Sequence, residues 1–513
     1  MNLYTKMRSF FLHRAFLYSL ALLIQILLLF WVVLGFQNRL YVFYSFSTAI
    51  SVVAVIIILN NSSNPAYKIA WLIPILVMPV FGSIMYYLIG RTKLRSSMRR
   101  TLIHTEHKKQ QVLEKEPTIL DTITAMDTDA GCQSKYLQDY ADNPPYAHTL
   151  STYFPTGEQS WLALLDALKN AQSFIFLEYF IIQEGTMWEA VLDILKEKAK
   201  EGLDVRVMYD DAGCIMKLPK GYNRYLEKYG IQCGVFNPVR PFLNSMMNHR
   251  NHRKIAVIDG TTGFTGGINI ADEYINSVEK YGHWKDTSIQ IQGDGVWSLT
   301  LMFLRLWDYV HGEPRDYGYY KPRESLPKRK TDGFVQPFDD SPLDDERVGE
   351  NVYLNILNRS HSYVYITTPY LIIDNEMLTA LLLASKSGVD VRIITPHIGD
   401  KWYVHGVTRT FYRQLIEGGV RIFEYLPGFI HSKTFVADDK YGVVGTINMD
   451  FRSLFLHFEC GIWLYNTSSI EDMKADFLET QRRSQEMTLR DIRHFSLAQK
   501  IAGQFFRVFS PLL

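Results

Sequence analysis

The chain writes one arrangement twice. "HRKIAVID" at 252–259 and "HSKTFVAD" at 431–438 both read H-x-K-x4-D, and each is followed by a matching turn-and-return, "GGIN" at 266–269 and "GTIN" at 445–448. The surroundings repeat in the same order. An apolar run, "SFIFLEYFII" at 173–182, precedes a helical pattern, "MWEAVLDILKEKAKEG" at 187–202, that stops on glycine. "SYVYITTPYLI" at 362–372 and "EMLTALLLASKSG" at 376–388 do the same. "LDVRVMYD" at 203–210 then aligns with "VDVRIITP" at 389–396. Strands alternating with helices argue for α/β layers around a mixed sheet, built once and duplicated. The expected halves are residues 151–320 and 351–513, the second carrying a C-terminal helix. Residues 321–350, with "KPRESLPKRK" and an acidic run, read as a linker.

The first ninety residues are of another kind. Segments 15–36, 40–59 and 69–89 carry no charge and are each about 20 residues long, enough to cross roughly 30 Å of hydrocarbon. They predict an α-helical transmembrane anchor over 1–90 and a multi-pass place in the cell membrane. Lys6, Arg8 and Arg14 precede the first segment; Arg91, Lys93, Arg95, Arg99, Arg100, Lys108 and Lys109 follow the third. The positive-inside rule puts both clusters in the cytoplasm, which three full crossings cannot satisfy, so either the amino terminus lies outside or one segment does not span and the anchor has two or three helices. Pro74 and Pro79 mark the third segment as kinked or re-entrant. Residues 91–150 read as a basic linker that attracts anionic lipid.

In a strand, residues two apart share a face, so His252 points with Lys254 and His431 with Lys433. Brought together, two imidazoles and two ammoniums suit a phosphodiester. One neutral His attacks phosphorus while the other donates to the leaving oxygen and later takes a proton from the acceptor. The lysines, with Asn269 and Asn448, stabilise charge on the equatorial oxygens. The attacking His needs an acid on its second nitrogen, and Asp286 and Glu459 are candidates. Glu178, inside an apolar run, needs a partner of its own, either as a structural pair or at the site. His249 with His252 makes only two ligands, and Cys132, Cys214, Cys233 and Cys460 have no metal spacing, so no metal, no cofactor and no disulfide framework is expected. With 54 Lys plus Arg against 53 Asp plus Glu, no basic excess favours nucleic acid.

Paired H-x-K-x4-D motifs identify the chain as a member of the phospholipase D superfamily. "LEYFII", "DDAG" at 210–213, "NHRNHRKIAVIDG", "GGINIADEY", "ITTPYLIID" and "HSKTFVADD" resemble the bacterial cardiolipin synthases within it. The resemblance implies phosphatidyl transfer between two phosphatidylglycerol molecules, giving cardiolipin and glycerol through a phosphatidyl-histidine. It implies a site between two phospholipase D-like halves, with His252, Lys254, Asp259, His431, Lys433 and Asp438 as the catalytic set. The aspartates rank below the other four, and His252 is favoured as nucleophile by analogy alone. A hydrolytic phospholipase D or another phosphatidyltransferase is the alternative. Two further features fit a lipid substrate. "PVRPFLNSMMNHR" at 238–250 mixes apolar and basic residues as a lipid-access rim would. Leu497, Ile501, Phe505 and Val508 form one helical stripe, expected to dock on the core, the commoner fate, or else to lie at the membrane interface.

Overall fold

The computed structural model describes residues 14–35, 40–91, 94, 96–313, 315–322, 333–343 and 346–512. The side chains at 14, 29, 32, 33, 35 and 40–44 also lie outside the described residues, as do Lys6, Arg8, Lys93, Arg95 and most of "KPRESLPKRK".

Seventeen strands form the scaffold. In the first half they are β1 (Thr149–Phe154), β2 (Phe174–Tyr179), β3 (Asp204–Asp210), β4 (Gln232–Phe236), β5 (Lys254–Ile258), β6 (Thr262–Gly266), β7 (His283–Lys285) and β8 (Ser288–Gly293). The second half has β9 (Phe334–Asp340), β10 (Tyr363–Thr367), β11 (Asp390–Pro396), β12 (Arg421–Tyr425), β13 (Gly428–Ile430), β14 (Thr434–Ala437), β15 (Tyr441–Gly445), β16 (Glu459–Tyr465) and β17 (Ser484–Glu486).

The first sheet runs β1-β8-β6-β5-β2-β3-β4 and the second β9-β16-β15-β14-β10-β11-β12-β17. Position for position the two orders coincide, with β17 added. In each, three strands pair in parallel (β2-β3-β4, β10-β11-β12), and the motif strand joins them antiparallel (β5 on β2, β14 on β10). Helices flank both, so the expected pair of α/β halves with mixed sheets is what the chain builds.

Two expected linkers are structured. Residues 91–150 contain three helices, Ser96–Val112, Pro117–Met126 and Thr128–Tyr140. Lys108 and Lys109, counted as lipid-facing, turn inward: Lys108 Nζ lies 2.7 Å from Asp308, and buried Lys109 lies 3.2 Å from Glu106 and 3.6 Å from Asp339. Within 321–350, residues 334–340 form β9 at the edge of the second sheet. Its Asp339 accepts from Arg253 at 2.7 Å and Arg305 at 2.5 Å, both from the first half. Burial alone would raise the Asp339 carboxyl, but Arg305, Lys109 and Arg253 hold it well below the usual carboxylate range.

Among the described residues the amino-terminal region has four helices: α1 (Arg14–Gly35), α2 (Leu40–Leu59), α3 (Pro65–Val77) and α4 (Pro79–Ile89). Among the described residues no helix is long and apolar enough to cross a membrane; described side chains in α1 and α2 run unbroken only over 15–28 and 45–59. Many of them are exposed and apolar, including Leu20, Leu27, Val53 and Ile57. The third segment is not one helix. It breaks at Met78, before Pro79, and doubles back: Tyr67 OH donates to Gly90 O at 3.0 Å, and the Trp71 and Tyr86 rings meet at 5.5 Å. Gly82 permits the close turn, since a Cβ there would stand 2.5 Å from Pro74 O.

The C-terminal helix Leu497–Val508 docks on Trp402–Glu417, but by another face than expected. Gly503 packs on Gly406, and the Arg507 guanidinium lies 4.1 Å from the Phe411 ring centroid. Leu497, Ile501, Phe505 and Val508 remain exposed.

Asp339→Ala leaves Arg253 and Arg305 buried without their shared carboxylate. The expected cost is about 3–5 kcal/mol of stability, read as a lowered thermal unfolding midpoint. An unchanged midpoint would show that the cluster does not hold the halves together.

Candidate active site

Each motif begins where a strand of one half crosses to the other. Asn251 bridges Phe458 in parallel; His252 N donates to Phe458 O at 2.9 Å, and Phe458 N to Arg250 O at 2.8 Å. In the second motif β13 pairs in parallel with β7, and His431 N donates to Lys285 O at 2.7 Å. Residue 459 follows Phe458 and residue 286 follows Lys285, so the backbone bridges deliver Glu459 to His252 and Asp286 to His431. His252 Nδ1 lies 2.9 and 3.0 Å from the Glu459 oxygens; His431 Nδ1 lies 2.7 Å from Asp286 Oδ2. Each imidazole is held by an acid from the opposite half.

The lysines share the histidines' face, as strand alternation requires. Lys254 Nζ donates to His252 O and Lys433 Nζ to His431 O, and Lys433 Nζ also lies 2.9 Å from His431 Nδ1. Aromatic rings wall the pair: Phe180 meets His252 edge-on at 5.1 Å, while Tyr274, Trp284 and Phe429 lie 5.4–5.8 Å from His431.

Burial sets the electrostatics. It pushes His252 down to about 3, against the pull of Glu459, so the ring is neutral at ordinary pH. Burial, then Lys433 and Lys254, push His431 well below its usual value. Burial also lowers Lys254 to about 7 and Lys433 to about 8.

The acids differ. Burial would raise Glu459, but His252 holds it well below the ordinary range, and Thr446 Oγ1 donates to it as well. Asp286 has no such hydroxyl. The matching position is Gly267, where a Cβ would stand 2.0 Å from Asp286 Oδ1. Burial raises Asp286 to about 7 despite Lys433.

The motif aspartates stand apart from this centre. Asp259 and Asp438 lie at the far ends of their strands, roughly 16 Å from the lysines at 3.3 Å per residue. Asp259 accepts from the backbone N–H groups of Gln172, Ser173 and Phe174 at 2.7–3.0 Å. Asp438 accepts from those of His361, Ser362 and Tyr363 at 2.7–2.9 Å. Both sit at positive φ, 54° and 53°, a region Asp tolerates better than most residues. They anchor the starts of β2 and β10, the strands that pair antiparallel with the motif strands.

The supporting residues divide similarly. Asn269 accepts from Ile181 N at 2.9 Å and donates to Tyr274 OH at 2.6 Å, so its amide is spent on orienting the ring beside His431. Asn448 Oδ1 is buried with no hydrogen-bond partner. Glu178, pushed up to about 7 by burial, accepts from Asn251 Nδ2 at 2.8 Å and steadies the residue before His252. His249 turns to Leu456 O at 3.1 Å, away from any shared ligand set. Among the described residues, the three potential metal donors that come within 4.8 Å of one another are His252, His457 and Glu459. Thr446 and His457 escaped the sequence reading. Comparing "GGIN" with "GTIN" would have exposed Thr446; His457, in "LHFEC", had no counterpart to flag it.

Residues 164–281 and 353–480 match the family described as "Cardiolipin synthase, PLD-like domain", and residues 49–91 match "Phospholipase_D-nuclease N-terminal". An uncharacterised protein of Streptococcus mutans is 41% identical over 90% of this chain and 99% of its own length. Proteins named cardiolipin synthase from Halalkalibacterium halodurans and cardiolipin synthase 2 from Bacillus anthracis are 33% and 32% identical, each over 91% of this chain and over 94% and 91% of their own. Among solved structures, phosphatidylserine synthase from Haemophilus influenzae superposes with a TM-score of 0.54 at 17% identity, covering 74% of this chain and all of that one; the likeness extends to fold.

Asp259→Asn removes a charge-assisted acceptor of backbone amides. The expected loss is about 1.5–3 kcal/mol of stability, with kcat of the folded fraction changed less than about tenfold. A kcat collapse at an unchanged unfolding midpoint would return Asp259 to the chemistry.

Proposed function

The chain belongs to the cardiolipin synthase family, and on that premise we propose that its two motifs divide one phosphatidyl transfer between them. The phosphatidyl group of one phosphatidylglycerol passes to another, yielding cardiolipin and glycerol. The observation that carries the division of labour is the exchange of acids between the halves, unequal in strength on the two sides.

Glu459, kept ionised, accepts the Nδ1 proton of neutral His252 and leaves the Nε2 lone pair to attack phosphorus. A P–N bond forms as the P–O bond to glycerol breaks. His431 supplies the proton the glycerol oxygen needs. Burial and two ammoniums push His431 down, but an anionic diester between Lys254 and Lys433 offsets their repulsion and lets it charge. In the second step the hydroxyl of the acceptor attacks phosphorus, the P–N bond breaks and His431 takes the proton. The lysines pair with the non-bridging oxygens throughout. Asp286, raised by burial, gives His431 a weaker anchor, which suits a group that must gain and lose a proton in each cycle.

Membrane attachment is part of the reading. Exposed apolar side chains on α1 and α2, about 33 and 30 Å long at helical rise, support two crossings. The fold-back of α3 on α4 supports a re-entrant hairpin. Two crossings plus a hairpin return the chain to its starting side, which satisfies the positive-inside rule with both basic clusters in the cytoplasm. The exposed stripe of Leu497–Val508 fits the headgroup boundary of the same leaflet. The proposed domain division is then an anchor to residue 90, a helical connector to about 150, and two halves meeting at β9.

Purified protein in phosphatidylglycerol vesicles is expected to release glycerol and form cardiolipin, and His252→Ala or His431→Ala to abolish both. Phosphatidic acid as the sole product would identify a hydrolase instead. Acid-quench trapping is expected to place the phosphatidyl adduct on His252; an adduct on His431 would reverse the assignment. Because burial lowers both lysines, their ammoniums are present below about pH 7–8 and lost above it, so kcat/KM is expected to fall as pH rises through that range. A profile flat to pH 10 would show that they stay charged.

A further inference from the structure

A cavity of about 1190 Å³ opens where the amino-terminal helices meet the second half. It is larger than the roughly 300–1,000 Å³ typical of small-molecule sites. One end is basic, with Arg91, Arg99, Arg100 and Arg347 on its wall. The acids on that wall have other duties: Asp340 accepts from Gly349 N at 2.8 Å, and Glu346 from Tyr136 OH and Asn351 at 2.6 and 2.7 Å. His457 also lies on its wall. That ring is nine-tenths buried, and neither nitrogen makes a hydrogen bond; Nδ1 stands 3.7 Å from Glu459 Oε1, and the ring lies 5.7 Å from that of His252. The cavity wall therefore carries both guanidiniums and an imidazole 3.7 Å from the carboxylate that holds His252.

Its flank faces the apolar helices. Ile57, Leu88 and Leu243 line it. The loop that carries Leu243 is tied to the middle of α1: Gln25 Nε2 donates to Pro241 O at 2.7 Å, and Leu243 N to Gln25 Oε1 at 3.3 Å. Gln25 lies about 16 Å along α1 from Arg14 at helical rise, where a lone amide in hydrocarbon would be costly. The loop satisfies it, and on the two-crossing reading above one wall of the cavity would reach the depth of the acyl chains.

We propose that this cavity holds the second, acceptor phospholipid, an anionic glycerophospholipid whose phosphate pairs with Arg91, Arg99, Arg100 and Arg347. Its chains follow α1, and its free glycerol hydroxyl is presented on the His457 side to the phosphatidyl group on His252. His457 is a positioning residue: it receives that hydroxyl without touching phosphorus. Guanidiniums suit a phosphodiester because their planar donors match its paired oxygens. A basic end joined to an apolar flank suits an amphiphile, where a soluble phosphate would need only the first.

The proposal rests on the cardiolipin synthase reading, and one experiment separates the two. Full-length enzyme in phosphatidylglycerol–phosphatidylcholine vesicles is assayed for cardiolipin formation and for exchange of labelled glycerol into phosphatidylglycerol, which needs the donor alone. Arg99→Glu with Arg100→Glu, both exposed on one helix, is expected to raise the phosphatidylglycerol fraction required for half-maximal cardiolipin formation about tenfold or more, with glycerol exchange within about twofold. Ser245→Trp, which fills the cavity without altering charge, is expected to do the same and carries the test should the charge reversal fail to insert. Equal loss of both activities in either variant would overturn the acceptor site. So would inorganic phosphate that inhibits cardiolipin formation and spares exchange, since that outcome describes a soluble-anion site. Wild-type enzyme that exchanges glycerol yet makes no cardiolipin would refute the synthase reading itself, and the acceptor site with it.

Discussion

The structure depends on an exchange of carboxylates between its halves. Glu459 leaves the second half to hold His252, and Asp286 leaves the first to hold His431. A fully buried carboxylate without a cationic or hydrogen-bonding partner is costly, so neither half is complete alone. The backbone bridges at Asn251–Phe458 and β13–β7 are the same exchange in hydrogen bonds, and they fix the two imidazoles across one junction. Asp339 repeats the logic further back, with a carboxylate of the second sheet closing on guanidiniums of the first half. A duplicated fold becomes a single enzyme through charges that only the other copy can neutralise.

The two copies are nearly equivalent in their motifs and differ in the partners of their acids. One imidazole must stay neutral and basic at phosphorus while the other cycles its proton. The difference is small in sequence: Thr446 stands where the first half has Gly267. The hydroxyl gives Glu459 a second hydrogen bond besides that to His252, which holds its carboxyl well below the usual range. At Gly267 the space is taken by Asp286 itself, packed close and pushed up by burial. The asymmetry resides in the partners of the histidines, whose own motifs are nearly identical.

Much of this could be read from the chain. Duplication was legible because the order of strand, helix, glycine and strand recurs with the same residues, and periodicity places His and Lys on one face. Asp286 and Glu459 were legible as candidate acids for a histidine, although local pattern cannot say which acid meets which imidazole, since the answer lies in how the halves pack. Asp259 and Asp438 were less legible, for the converse reason. Spacing within a motif does not reveal that a five-residue strand carries its last member some 16 Å away, to cap backbone amides. The helices of 96–140 and strand β9 were read as linkers because their sequences are polar, and the purpose of that polarity, burying Lys109 and Asp339 against first-half arginines, is a tertiary fact. The stripe of Leu497–Val508 was visible, but not that Gly503 would choose the opposite face for contact.

The third apolar segment shows how a charge rule and a steric rule combine. Three crossings would strand one basic cluster on the wrong side of the membrane. Two prolines supply the remedy: Pro79 breaks the helix after Val77, Gly82 lets the second arm lie against Pro74, and Tyr67 closes the loop on Gly90. Under the proposed topology the chain would emerge at Arg91 on the side where it started, beside the arginines of the cavity wall. The fold-back sets Tyr67 and Tyr86 in the cavity wall together with Arg91 and His457. The amino-terminal helices and the second half meet at that wall, where His457 stands 3.7 Å from Glu459.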